Sequence, residues 1–140
     1  MTKILVDTNI LIYSVLESDE KKHRIANDIV KDLVRSEEFV LSSQNLAEFC
    51  RVLLEKNKPR VESFELRNLV LGFLRFSSFI SYSEMTVLEA LSSCDEYKVN
   101  FFDALLIASM KENGIVNIMT ENVSDFSRVP WLKVINPFEN

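Results

Sequence analysis

The chain has 140 residues, of which 47% are hydrophobic and 26% charged, and a net charge of −5. That length suits one domain with a substantial core, and the composition is that of a soluble globular protein. The acidic balance argues against a surface that attracts nucleic acid everywhere, while leaving room for a local basic strip.

The apolar runs are short and broken, so no transmembrane helix is expected. The first of them, Ile-Leu-Val before Asp7, is too short for a signal peptide, which makes a cytoplasmic location the expectation. Cys50 and Cys94 have neither metal-ligand nor C-x-x-C spacing and read as reduced thiols in or near the core. The chain shows no repeat, no low-complexity tract and no Pro/Gly-rich linker. Its two Gly and three Pro leave the connections to Ser, Asn and Asp.

The run KILV (3–6) predicts a buried strand, and residues 9–16 a short helix or turn. Residues 20–36 place Ile25, Ile29, Val30, Leu33 and Val34 at helical spacing. A second strand is predicted at 39–42 and a helix at 43–57. Pro59 introduces another helix at 60–75, with Leu66, Leu69, Val70, Phe73 and Leu74 on one face. Gly72 inside it costs roughly 1 kcal/mol against Ala. A short strand at 79–82 and a helix at 84–98 follow. Residues 100–113 then read as a helix that is apolar almost all round, which predicts a buried central helix, with Gly114 where a C-cap belongs. Strands at 115–120 and 132–135 complete the pattern.

Strands that alternate with helices, and are themselves continuous apolar runs, predict a parallel sheet covered on both faces. Sites in such sheets lie outside the carboxyl ends of the strands. That directs attention to Asp7, to 42–48 and to 120–125.

Carboxylates gather in four places. Asp7 follows the first strand directly and reads equally as a helix N-cap or as a metal ligand. Glu48 borders the apolar face of its helix, formed by Ala47, Cys50 and Leu54, and Asn45-x-x-Glu48 also reads as a capping box. Asp103 opens the apolar helix, where Asn100-x-x-Asp103 is again a possible box. That explains an Asp there but not why its surroundings are so apolar. The stretch TENVSDF (120–126) supplies Glu121, Asn122 and Asp125, although turns are rich in such residues anyway.

Taken together, the four places can converge at one end of a parallel sheet. Two bare carboxylates about 4 Å apart repel by roughly 4 kcal/mol at an effective dielectric near 20. A cluster therefore implies protonation or a hard cation, and all-oxygen ligands suit Mg²⁺ or Mn²⁺ rather than zinc. His23 is the sole histidine. It lies between Lys22 and Arg24 on the charged side of its helix, so a histidine-based nucleophilic mechanism is not expected.

Asp7-Thr8-Asn9, SSQNLAEF, NFFDALLIASM and TENVSDF, in this order, resemble the motifs of the PIN-domain nucleases. The likeness is greatest to the small VapC-like toxin ribonucleases of toxin–antitoxin pairs, and it runs from Ile4 to about Pro137. It implies an α/β, PIN-like three-layer sandwich, with a central parallel sheet and helices on both faces, as one domain over 1–140. It also implies metal-dependent hydrolysis of RNA phosphodiester bonds. Asp7, Glu48 and Asp103 match the family's acidic ligands for Mg²⁺ or Mn²⁺, with Asn122 or Asp125 as a further one. Asn122 stands where the family often has Asp, which puts the fourth ligand in doubt. Asn100 replaces a common Ser and Phe102 a common Trp.

On this likeness Thr8 and Asn9 either steady the first loop or contact a phosphate. Arg51 and Lys56, with Lys58 and Arg60, form a basic strip that also reads as an ordinary solvated helix end. A cognate antitoxin and a homodimer are the implied partners, with no membrane. FLRFSSF (73–79) reads as either interface or core. A haloacid-dehalogenase-like phosphatase is disfavoured, because Asn9 stands where a second Asp belongs. An RNA-processing PIN nuclease and an inactive PIN-fold binding module remain as alternatives.

Overall fold

The computed structural model describes residues 2–139, so residues 1 and 140 of the expected domain lie outside the described residues. The strands are β1 (Ile4–Val6), β2 (Phe39–Ser42), β3 (Ser78–Ile80), β4 (Asn117–Met119) and β5 (Lys133–Ile135). They form a five-stranded sheet in the order β3-β2-β1-β4-β5. Every neighbouring pair is parallel. The helices are α1 (Thr8–Val15), α2 (Glu20–Arg35), α3 (Ser43–Arg51), α4 (Ser63–Phe76), α5 (Glu84–Tyr97), α6 (Phe101–Glu112) and α7 (Val123–Phe126). Over Val52–Lys56, α3 continues as a widened π turn.

The period-two alternation of the strands divides the core in two. Leu5, Val40, Ile80 and Ile118 face α5, α6 and α7, packing on Ala90, Leu105, Ile107 and Phe126. Val6, Phe39, Leu41 and Met119 face the other way, against residues of α1 to α4 such as Ile10, Val30, Phe49 and Leu66. Both faces of a parallel sheet must be covered in this way, because each strand is apolar on both sides. The expected three-layer α/β sandwich is therefore the observed one. No helix among the described residues is long and apolar enough to cross a membrane.

α6 is the central helix of its layer. Seven consecutive residues, Ala104 to Met110, are buried. It ends in a helix-closing turn: the N–H of Ile115 donates to Met110 O at 3.0 Å, and that of Gly114 to Lys111 O at 3.3 Å. Gly114 adopts φ +67°, which favours glycine. This turn takes Ile115 and Val116 out of the predicted strand at 115–120, leaving only Asn117–Met119 to pair.

Chain order runs from β1 outward to β2 and β3, then returns to β4 on the other side of β1. The strand order thus reverses between β1 and β4, and a crevice at their carboxyl ends is where such sheets bind ligands.

Candidate active site

Asp7 leaves β1 at that reversal. It is only 9% exposed. Its Oδ1 accepts from the Thr8 N–H at 2.9 Å and from Asn45 Nδ2 at 3.0 Å. Its Oδ2 accepts from Thr120 Oγ1 at 2.7 Å, so the ends of β1 and β4 are tied through this carboxylate. Asp7 also caps α1. The capping role and a site role are thus compatible. Burial raises its pKa and the charge of Glu48 adds to this, while the bonds from Thr120, Thr8 and Asn45 oppose the rise.

Glu48 comes from the middle of α3. Its Oε2 accepts from Thr8 Oγ1 at 3.1 Å and its Oε1 from Gln44 Nε2 at 3.3 Å. The anticipated Asn45–Glu48 capping box does not form. Ser42 caps α3 instead, its Oγ accepting from the Asn45 N–H at 3.0 Å. Asn45 is thereby freed to hold Asp7.

Asp103 lies in the first turn of α6, with Asn100 as the N-cap that accepts its backbone N–H at 3.0 Å. The box closes between side chains, Asn100 Nδ2 donating to Asp103 Oδ2 at 3.0 Å. Burial pushes the Asp103 carboxyl up to about 7, aided by its hydrogen bond with Asp125 and by the charges of Asp125 and Asp7. The amide of Asn122 works against this, with Nδ2 lying 3.3 Å from both Asp103 Oδ2 and Asp125 Oδ2.

Asn9 holds the first loop to the last motif. Its Oδ1 accepts from the Glu121 N–H at 3.2 Å, and its Nδ2 lies 3.5 Å from Asp7 Oδ2 and from Thr120 Oγ1. Glu121 itself pairs with Lys22 of α2. Arg51 and Lys56 do not join the carboxylates. They border an adjoining groove that Thr8 and Glu48 also line.

Residues 4–132 match the family model of the PIN domain. The chain belongs to the PIN domain family. No curated protein sequence matches it. Among solved structures, this PIN domain is similar to a toxin–antitoxin complex from Klebsiella pneumoniae, at 22% identity and TM-score 0.69 over 99% of this chain and 100% of that one. It is also similar to a DNA-bound VapBC from Salmonella typhimurium, at 18% identity and TM-score 0.71 over 98% and 99% of the two chains. A third is the sarcin-ricin loop cleaving toxin VapC20 of Mycobacterium tuberculosis, at 18% identity and TM-score 0.63 over 91% and 95%. At these identities the likeness is one of fold.

The fold brings the carboxylates of the PIN motifs to one end of the sheet, close enough for Asp7 to act on Asp103 and Glu48 on Asp7. Among the described residues, no three His, Cys, Asp or Glu side chains stand close enough to enclose one ion. Neutral donors hold each carboxylate: Asn45 and Thr120 for Asp7, Thr8 and Gln44 for Glu48, Asn100 and Asn122 for Asp103.

Four of the residues that build the site have no role in the sequence motifs as read above: Thr120, Gln44, Asn45 as an Asp7 ligand, and Lys22. Thr120 had a signal, its place at the carboxyl end of β4. Asn45 and Lys22 act across long stretches of chain, with no local pattern to mark them, and Gln44 reaches Glu48 one turn on in its own helix and Phe102 O of α6.

Proposed function

We propose that this PIN domain is a metal-dependent ribonuclease, the toxin of a toxin–antitoxin pair. The observation that carries this is that Asp7 at the end of β1, Glu48 of α3 and Asp103 of α6 are brought to the same end of the sheet, where strand order reverses in a PIN fold, with Glu48 acting on Asp7 and Asp7 on Asp103. Besides burial, Glu48 raises the pKa of Asp7, and Asp125 and Asp7 raise that of Asp103; a cation would relieve that repulsion, and an all-oxygen donor set suits Mg²⁺ or Mn²⁺. Asp7, Glu48 and Asp103 would be its ligands, with Asn122 or Asp125 completing the set. When bound, such an ion supplies a Lewis acid for the phosphate and acidifies water.

The chain's own residues do the remainder. Asn45, Thr120 and Thr8 fix the Asp7 carboxylate in one orientation. Asn122 spans Asp103 and Asp125 and ties the two carboxylates to one amide. Thr8 and Asn9 brace the loop after β1, as their hydrogen bonds support. Arg51 and Lys56 offer positive charge to RNA phosphates beside the carboxylates.

The fold of the toxin structures above supports the toxin reading and a cognate antitoxin, with 1–140 acting as one domain. Self-association as a homodimer finds support in apolar side chains exposed around the sheet edge at β3. An RNA-processing role would use the same site.

The test is RNA cleavage by the wild-type chain and Asp103→Asn, with Mg²⁺, Mn²⁺ or EDTA. Cleavage is expected only for the wild type with a divalent ion. Activity that survives EDTA or the substitution refutes the mechanism.

A further inference from the structure

The groove beside Glu48 has features that holding a metal ion does not require. It encloses about 430 Å³ and is lined by Gln44, Glu48, Arg51, Lys56, Tyr82 and Phe102 among others. We propose that it is a subsite for one unstacked nucleotide of single-stranded RNA, its base lying on the rings of Phe102 and Tyr82 and its flanking phosphates meeting Arg51 and Lys56. The proposal rests on the nuclease reading above and specifies the form of its substrate.

Two aromatic rings form the apolar part. Phe102 is 61% exposed and Tyr82 45%. An exposed ring gains little from folding, yet the backbone that carries the Phe102 ring is anchored. Its carbonyl accepts from Gln44 Nε2 at 2.8 Å, which ties the first turn of α6 to α3. Its ring meets that of half-buried Phe101 edge-on, with centroids 5.5 Å apart. A solvent-facing ring on an anchored backbone offers a stacking platform, and stacking on aromatic side chains is how unpaired bases are bound.

The groove also carries the right charge. Lys56 has no anionic partner among the described residues, and Arg51 faces only the exposed Glu55, at 3.7 Å. The π turn Val52–Lys56 runs from one of these cations to the other. Such turns recur at functional sites. Finally, Glu48 lines this groove and belongs to the carboxylate group, so a strand seated here leads directly to the reacting centre. A duplex keeps its base faces stacked against one another and offers nothing to the rings.

The test pairs binding with kinetics. Binding of a labelled single-stranded RNA and of its duplex is measured across salt concentrations in an Asp103→Asn background. Cleavage is measured with Asp103 intact. Phe102→Ala is expected to weaken single-strand binding roughly tenfold without changing its salt dependence, and Phe102→Trp to restore it. Tyr82→Ala should act in the same direction. Lys56→Ala should lower the slope of log affinity against log salt by about 0.7, the loss of one phosphate contact on a single strand. Duplex binding should barely respond to Phe102→Ala, and in cleavage that variant should raise KM while kcat is retained. If the wild type neither binds nor cleaves RNA, both readings fall. If it does both and Phe102→Ala matches it, the subsite alone falls. A change of sedimentation mass in Phe102→Ala also overturns the subsite, since the ring would then belong to a protein interface.

Discussion

At the scale of single residues, Asp103 makes the site sensitive to pH. Its carboxyl is raised from the ordinary 3.8 to about 7, by burial first and then by Asp125 and Asp7. A raised acid binds its proton more tightly in the folded chain than in the unfolded one. Its contribution to stability is therefore full below about 4, declines as pH rises, and is gone above about 7. Asparagine at 103 mimics the neutral form at every pH. In EDTA, Asp103→Asn should gain on the wild type by on the order of 1–2 kcal/mol between about pH 4.5 and pH 7.5, after allowing for solvent screening of a half-exposed group. Thermal unfolding at both pH values checks this, and a gap that stays constant refutes it.

Thr120 is a second test at this scale. It is fully buried, its hydroxyl donates to Asp7, and it accepts from the Asn122 N–H at 2.9 Å. Thr120→Val strips a buried carboxylate of a donor and should destabilise the chain by about 1–3 kcal/mol, whereas Thr120→Ser keeps the hydroxyl and should cost less. Denaturant unfolding of the two variants separates lost packing from the lost hydrogen bond.

At the scale of elements, α6 is held from both ends. Asn100 accepts the Asp103 N–H at its start, and Gly114 turns the chain at its end. Asn100→Ala should cost about 1 kcal/mol in denaturant unfolding. It should also loosen Asp103, which loses the amide that Asn100 offers. A cost near zero would mean that the buried body of α6 alone fixes its first turn.

This helix was legible from sequence because its signals are local: an apolar run, a capping Asn and a terminal Gly. The strands were legible for the same reason, as apolar runs beside turn residues. Three features were not. α7 spans only four residues and reads as a turn. The strand predicted at 115–120 begins late because Ile115 is claimed by the end of α6. The third concerns Asn45, which reads as the start of a capping box with Glu48. Its side chain instead reaches Asp7, 38 residues away in sequence, and only the pairing of β1 with β2 brings the two together.

At the scale of the whole molecule, the sheet is open at β3, whose Phe79 is exposed. FLRFSSF divides there. Phe73 turns inward against Phe39 and Phe49, while Leu74, Phe76 and Phe79 face solvent. Along α5, Met85, Leu88 and Leu91 recur every third residue on one exposed face. An edge strand flanked by apolar side chains invites another chain unless something covers it. A second copy of this chain would cover it symmetrically, and two-fold pairs are the commonest assembly of like chains. Leu88 and Leu91 are 57% and 53% exposed, so replacing both with Lys should leave the fold intact. Neither lines the groove beside Glu48, so the double variant should keep its affinity for RNA while it sediments as a monomer and the wild type as a dimer. A wild-type chain that is monomeric at every concentration tested would refute the homodimer. A double variant that stays dimeric would move the interface away from α5.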